Sequence, residues 1–172
     1  MEKISVLIPQ ETVETRIREL ADQISRDYAG GEIRMVGILK GASFFMCELA
    51  KNITVPVSID FMQVSSYGNK TESTGTVKIR KDLDESIEDL DVIIVEDIVD
   101  SGRTLAFLGD FLKCKGAKSI RYCTLLDKPE RRVVDLKADY YGFSIPDQFV
   151  VGYGMDYQQK YRNLPYIGVV EL

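Results

Sequence analysis

The segment Val92-Ile93-Ile94-Val95 is apolar at every position, and it is too short to be a helix. A strand of that kind is wetted on neither face, so it must sit inside a sheet covered on both sides. Several further stretches fit such a layered arrangement. Val13, Ile17, Leu20, Ile24 and Tyr28 recur at helical spacing, which predicts an amphipathic helix from Glu11 to Tyr28, closed by Gly30-Gly31. Ile33 to Leu39 reads as a mostly buried strand, followed by Lys40-Gly41 and a second helix through Phe44, Phe45, Met46 and Leu49. Strands are expected over Val57–Val64, Val77–Leu83 and Ser119–Leu126, and a helix over Leu105–Lys115 ending at Gly116. Alternating strands and helices predict an α/β fold, a mainly parallel twisted sheet flanked by helices. The chain's 172 residues suit a single domain.

Two parts depart from this rhythm. Residues 65–76, from Ser65 to Thr76, contain no aliphatic side chain and are expected to form a polar lid. The last thirty-odd residues, with Pro146, Pro165 and glycines at 142, 152, 154 and 168, read as an appended flap rather than another β-α unit. The expected division is a core over residues 11–138 and a small hood from residues 1–10 and 139–172.

Composition removes whole classes of chemistry. There is no histidine, which excludes Ser-His-Asp and Cys-His nucleophile systems and imidazole metal sites; carboxylates, Lys, Tyr and backbone amides remain. The net charge of −5 argues against a general polyanion-binding surface. Cys47, Cys114 and Cys123 form no CxxC pair and are expected to be reduced, buried thiols. No apolar run approaches the roughly 18 residues of a membrane helix, so a cytoplasmic protein is expected.

The chemistry concentrates in Val92 to Thr104. The buried strand ends in Glu96-Asp97, at the sheet edge where parallel α/β proteins bind ligands, and the chain continues through Asp100 into Ser101-Gly102-Arg103-Thr104 before a helix. Carboxylates accept hydrogen bonds from sugar hydroxyls and bind magnesium, whereas amides and hydroxyls at a helix N-terminus suit a phosphate. Together they describe a sugar-phosphate site. Asp-Ser-Gly alone is an ordinary capped turn, and the specificity lies in its spacing from the strand-terminal Glu-Asp. No GxxxxGK[ST] exists, and Gly152-Tyr153-Gly154 lacks the third glycine of a dinucleotide fingerprint.

This stretch resembles the phosphoribosyl-pyrophosphate signature of type I phosphoribosyltransferases. With Leu39-Lys40-Gly41, Ser66-Tyr67, Leu125-Leu126-Asp127-Lys128, Phe149-Val150-Val151-Gly152-Tyr153, Asp156-Tyr157 and Arg162, the chain resembles the hypoxanthine-guanine branch from about residue 5 to its C-terminus. The resemblance implies magnesium-dependent transfer of the 5-phosphoribosyl group to a 6-oxopurine, by a homodimer or homotetramer without nucleic-acid or membrane partners. By position, Lys40 and Gly41 would contact pyrophosphate, in a loop where the family has a cis peptide before the lysine, and Ser66-Tyr67 would belong to the lid. Glu96 and Asp97 would hold the ribose hydroxyls and, with Asp156, the metal. Asp100 would exchange a proton with purine N7, Ser101, Gly102, Arg103 and Thr104 would wrap the 5′-phosphate, and Arg162 would bind pyrophosphate. Lys128 would donate to the purine 6-oxygen, and Phe149 would stack on the base beside the Val150 backbone. Asp127 is a departure, since an uncharged residue is expected there in some relatives. The alternatives are an RNA-binding regulator that also takes phosphoribosyl pyrophosphate, disfavoured by the low pI and the Lys128 and Phe149-Val150 pocket, and a sister transferase for xanthine, adenine or uracil, of which Lys128 disfavours adenine.

Overall fold

The computed structural model describes residues 2–67 and 76–171, with the side chains of residues 66 and 67 outside the description. Residues 68–75, most of the expected lid, therefore lie outside the described residues. What borders them is strand rather than loop: β3 (Val57–Tyr67) runs through Ser65 and Ser66, and β4 (Thr76–Lys81) returns antiparallel with Tyr67 opposite Thr76.

Strand β1 (Lys3–Ile8) and helix α1 (Gln10–Asp27) open the chain, followed by β2 (Ile33–Leu39) and α2 (Ser43–Asn52). After β3 and β4 come β5 (Asp91–Val99), α3 (Arg103–Cys114), β6 (Ser119–Asp127), a 3₁₀ turn (Pro129–Arg131) and β7 (Tyr140–Ser144). Strands β8 (Val150–Val151) and β9 (Ile167–Glu171) close the chain. The larger sheet has six strands in the order β4-β3-β2-β5-β6-β7, parallel except for β4.

The helices cover both faces, as the apolar β5 run demands. Successive side chains point to opposite sides, so Ile93 and Val95 pack with Val13, Ile17, Leu20, Ile24, Phe45 and Leu49 of α1 and α2. Val92 and Ile94 pack with Leu105, Leu108 and Leu112 of α3 on the other face. The fully buried Val13, Ile17, Leu20 and Ile24 are the stripe that the helical spacing predicts. Chain order moves outward from β2 to β3 on one side and from β5 to β6 on the other. The sheet therefore reverses between β2 and β5, and the crevice beyond the strand C-termini at that point is where open α/β sheets bind ligands.

The chain ends build a second, three-stranded antiparallel sheet in the order β1-β9-β8, with Lys3 opposite Glu171 and Val150 opposite Val169. This is the expected hood, but its boundary needs correction. Tyr140–Ser144 is the parallel edge strand of the large sheet, paired with β6, and no helix lies between the two. A short 3₁₀ turn and an extended segment suffice to reach an adjacent edge position, so the missing helical pattern does not mark the end of the sheet. The cysteine expectation is also only partly met: Cys123 is buried in the core, whereas Cys47 and Cys114 are exposed. Both exposed thiols lie on amphipathic helices, where apolar neighbours in sequence point to a different face.

Candidate active site

The C-terminal ends of β2, β5 and β6 deliver three groups of side chains to one crevice, and the hood supplies its roof. Asp97, Ile98 and Asp100 from β5 and its exit, Lys128 after β6, and Phe149, Val150, Met155 and Asp156 from the hood line a cavity of about 200 Å³. Six of these eight are residues singled out in the sequence. Ile98 and Met155 are the two apolar additions.

At the β5 end, Glu96 and Asp97 lie against each other. Burial, reinforced by the Asp97 charge, pushes the Glu96 carboxyl well above the usual carboxylate range. Burial also raises Asp97, whose Oδ1 accepts the Ile98 amide at 2.7 Å. Burial and the neighbouring like charge both favour the protonated form, whereas a cation or hydroxyl donors would favour the charged one. Asp97 faces the cavity and Glu96 is not part of its lining.

The chain leaves β5 through Asp100 and starts α3 with Gly102 at φ +83°, a left-handed conformation that glycine adopts without strain. Ser101 Oγ accepts the Arg103 amide at 3.3 Å, and the Ser101 carbonyl accepts the Val133 amide at 3.0 Å. Ser101, Gly102, Arg103 and Thr104 thus form the turn and first residues of a helix whose N-terminal dipole favours an anion.

At the β2 end, the Leu39–Lys40 peptide is cis, as the resemblance implies. Gly41 lies where a Cβ would overlap the Asp97 carboxylate, and a Cβ on Gly154 would overlap the Gly41 carbonyl. Two glycines thus let the β2 loop, the β5 carboxylate and the hood approach at van der Waals distance. Lys40 Nζ donates to Gln159 Oε1 at 3.3 Å, and Arg162 Nη2 reaches the same oxygen at 3.2 Å. Arg162 also pairs with Asp156 at 3.0 Å and donates to the Gly154 carbonyl at 2.6 Å. Lys40, Gly41, Asp156 and Arg162 therefore form one cationic pole with a carboxylate at its edge.

The opposite end of the cavity sets an aromatic ring, Phe149, beside an ammonium, Lys128. Phe149 is 46% exposed and forms a T-shaped pair with Tyr157, with ring centres 5.5 Å apart at 90°. Lys128 is only 7% exposed, and its ammonium lies 3.8 Å from Asp100 Oδ1 and 3.4 Å from Asp147 Oδ1. Asp127 does not compete for it. Its Oδ1 pairs with Arg132 Nη2, while Arg132 also donates to the carbonyls of Leu136 and Asp100, the latter at 3.2 Å.

Glu96, Asp97 and Asp156 are not a three-carboxylate cage. Among the described residues no group of three or more His, Cys, Asp or Glu side chains converges on a metal position. The donor set still fits magnesium, a hard ion that takes one or two carboxylates and completes its shell with water and substrate phosphates. Asp97 and Asp156 supply such oxygens to one cavity.

The sequence reading missed Asp147, Arg131, Arg132 and Gln159. Pro146-Asp147-Gln148 looks like any polar turn, and Arg131-Arg132 like a solvated pair of cations. Gln159 sits in a turn with φ +65°, which no sequence signal marks.

The family model for the phosphoribosyl transferase domain matches residues 7–158. The chain is 52% identical over 166 residues to the hypoxanthine-guanine phosphoribosyltransferase of Streptococcus thermophilus, covering 96% of this chain and 92% of that protein. It is also 52% identical to the bifunctional protein TilS/HprT of Listeria monocytogenes, but there the chain spans only 26% of the relative's length. Among solved structures, a hypoxanthine-guanine phosphoribosyltransferase from Bacillus anthracis, with a HEPES molecule in its active site, superposes with a TM-score of 0.95 at 51% identity. The match covers 99% of this chain and all 100% of that one. By its matched domain, by sequence identity and by superposition along nearly its whole length, the chain belongs to the phosphoribosyltransferase family, in its hypoxanthine-guanine branch.

Proposed function

We propose that the chain serves purine salvage by transferring the 5-phosphoribosyl group of phosphoribosyl pyrophosphate to hypoxanthine and guanine, releasing pyrophosphate and the nucleoside monophosphate. The observation that carries this reading is the order of chemistries around one crevice: cations at Lys40 and Arg162, the Asp97 carboxylate with Glu96 against it, a helix N-terminus at Ser101–Thr104, and an ammonium beside an aromatic face at Lys128 and Phe149. Departure of pyrophosphate leaves positive charge on the ribose and negative charge on the leaving group, and such a site opposes each with its complement. Lys40 and Arg162 bind the departing phosphates. Glu96 and Asp97 accept hydrogen bonds from ribose hydroxyls, and the α3 N-terminus fixes the 5′-phosphate. Asp100 accepts the proton that the purine loses at N7 as N9 bonds to the ribose. Magnesium, when bound, supplies charge neutralisation at the pyrophosphate, with Asp97 and Asp156 as the residues that would hold it and Glu96 alongside.

Base choice follows from Lys128. An ammonium only donates, so it matches the 6-oxygen of hypoxanthine, guanine or xanthine and leaves a nearly buried charge facing the amino group of adenine. Sites built on such a polar match reject the wrong analogue by roughly 10⁴-fold. The test is product formation from each of these four bases with phosphoribosyl pyrophosphate and magnesium. Turnover with hypoxanthine and guanine is expected, and adenine used as well as hypoxanthine would overturn the assignment of the pocket. The same reading includes a cytoplasmic homodimer or homotetramer, supported by three free cysteines that suit a reducing compartment. Light scattering on the purified chain reads the assembly.

A further inference from the structure

Lys128 approaches the cavity between two carboxylates, Asp100 at 3.8 Å and Asp147 at 3.4 Å. These are its side-chain partners among the described residues. Only Asp147 is within hydrogen-bond distance, and an ammonium has three N–H groups, so two are left for a ligand. Asp147 does not line the cavity and is touched by no role that the family resemblance implies. Its second oxygen, Oδ2, accepts Arg131 Nη1 at 3.0 Å, and Arg131 Nε returns to Asp100 Oδ1 at 4.0 Å. Four charges of alternating sign, Asp100, Lys128, Asp147 and Arg131, therefore close a ring in which only Lys128 is buried.

We propose that Asp147 is a positioning residue for purine recognition: it holds the Lys128 ammonium away from Asp100. This rests on the function proposed above. Asp100 and Asp147 both attract the same ammonium, and Asp147 is the nearer. With Asp147 neutral, a nearly buried cation keeps a single carboxylate partner, and attraction draws it toward Asp100. That shift takes the donor from the purine 6-oxygen and occupies the carboxylate that receives the N7 proton. Arg131 anchors the outer side of Asp147, so the carboxylate is fixed even though it lies on an exposed segment, and the same hydrogen bond together with Lys128 keeps its carboxyl below the usual range.

The Asp147→Asn variant preserves shape and removes the charge. We expect KM for hypoxanthine to rise about tenfold, the worth of one charge-assisted hydrogen bond, with KM for phosphoribosyl pyrophosphate within about twofold. Asp147→Glu, which keeps the charge, should recover most of the loss. In a Lys128→Gln background the Asp147→Asn change should add less than about twofold, because the ammonium that it positions is gone. An unchanged hypoxanthine KM, a parallel rise in both KM values, or an equal loss in both backgrounds would each overturn the positioning role. Absence of product from the wild-type chain with any base would instead sink the transferase reading on which it rests.

Discussion

Asp100 is the residue at which geometry and chemistry meet most directly. Its side chain lies on the cavity wall, half-exposed, with Lys128 and Arg131 within 4.0 Å. Asp100→Asn keeps the size and one acceptor but removes the base, so kcat should fall about 10²- to 10⁴-fold. Because the side chain is not packed in the core, the melting temperature should hardly move. Unchanged kcat would make Asp100 merely structural. The cysteines supply an independent check on burial. Cys47 and Cys114 are exposed, whereas burial pushes the Cys123 thiol far above its ordinary range. A chromogenic disulfide should therefore titrate two thiols in the native protein and the third only on unfolding. Both exposed positions were misread from sequence for one reason: apolar neighbours along a helix do not share its face. The candidate residues of β5 and its exit could be picked out because they crowd into one short stretch, Glu96 to Thr104. Asp147 could not, since its meaning comes from Lys128, nineteen residues away.

At the scale of elements, the segment after β6 is held by one side chain. Arg132 ties Asp127 at the strand end, the Leu136 carbonyl and the Asp100 carbonyl, and so fastens the 3₁₀ turn against the turn that opens α3. Gly102 packs beneath it, with a hypothetical Cβ 2.8 Å from Arg132 Cδ. Arg132→Met keeps most of the aliphatic stem but leaves the half-buried Asp127 carboxylate unpaired. A cost of about 2 kcal/mol is reasonable for that loss, a lowering of the melting temperature by roughly 4–8 °C in a chain of this size. Adding Asp127→Asn should return part of it, since the orphaned charge is then removed. If the single and double variants melt together, the pair is not what fastens the turn. Strand and helix identity was readable here because patterns of period 2 and 3.6 are local. What periodicity does not provide is pairing: the five residues of β7 carry no signal of which sheet they join, and the polar Ser65 and Ser66 hide the continuation of β3 beside the edge strand.

For the whole molecule, the decisive fact is that the site belongs to neither sheet alone. Asp97, Asp100 and Lys128 come from the large sheet, and Phe149, Val150 and Asp156 from the hood, whose own sheet joins Lys3 to Glu171 across almost the entire chain. Such a closure is non-local, so the sequence could announce two unusual ends but not their pairing. A ligand that spans the crevice touches both parts and must stabilise their docking as well as fill the cavity. Inosine monophosphate at about a hundred times its Kd should then add about 2.7 kcal/mol to the folded state, a rise in melting temperature of roughly 5–11 °C. Phe149→Ala separates ligand binding from intrinsic stability. The ring is 46% exposed and its aromatic partner, Tyr157, meets it in a perpendicular pair, so its removal should cost the free protein only about 1 kcal/mol. At the same nucleotide concentration, however, the variant should lose most of the ligand-induced rise, because the face on which the base stacks is gone. A full rise in Phe149→Ala would mean that the purine does not lie against Phe149, and that the hood contributes to folding without contributing to the base pocket.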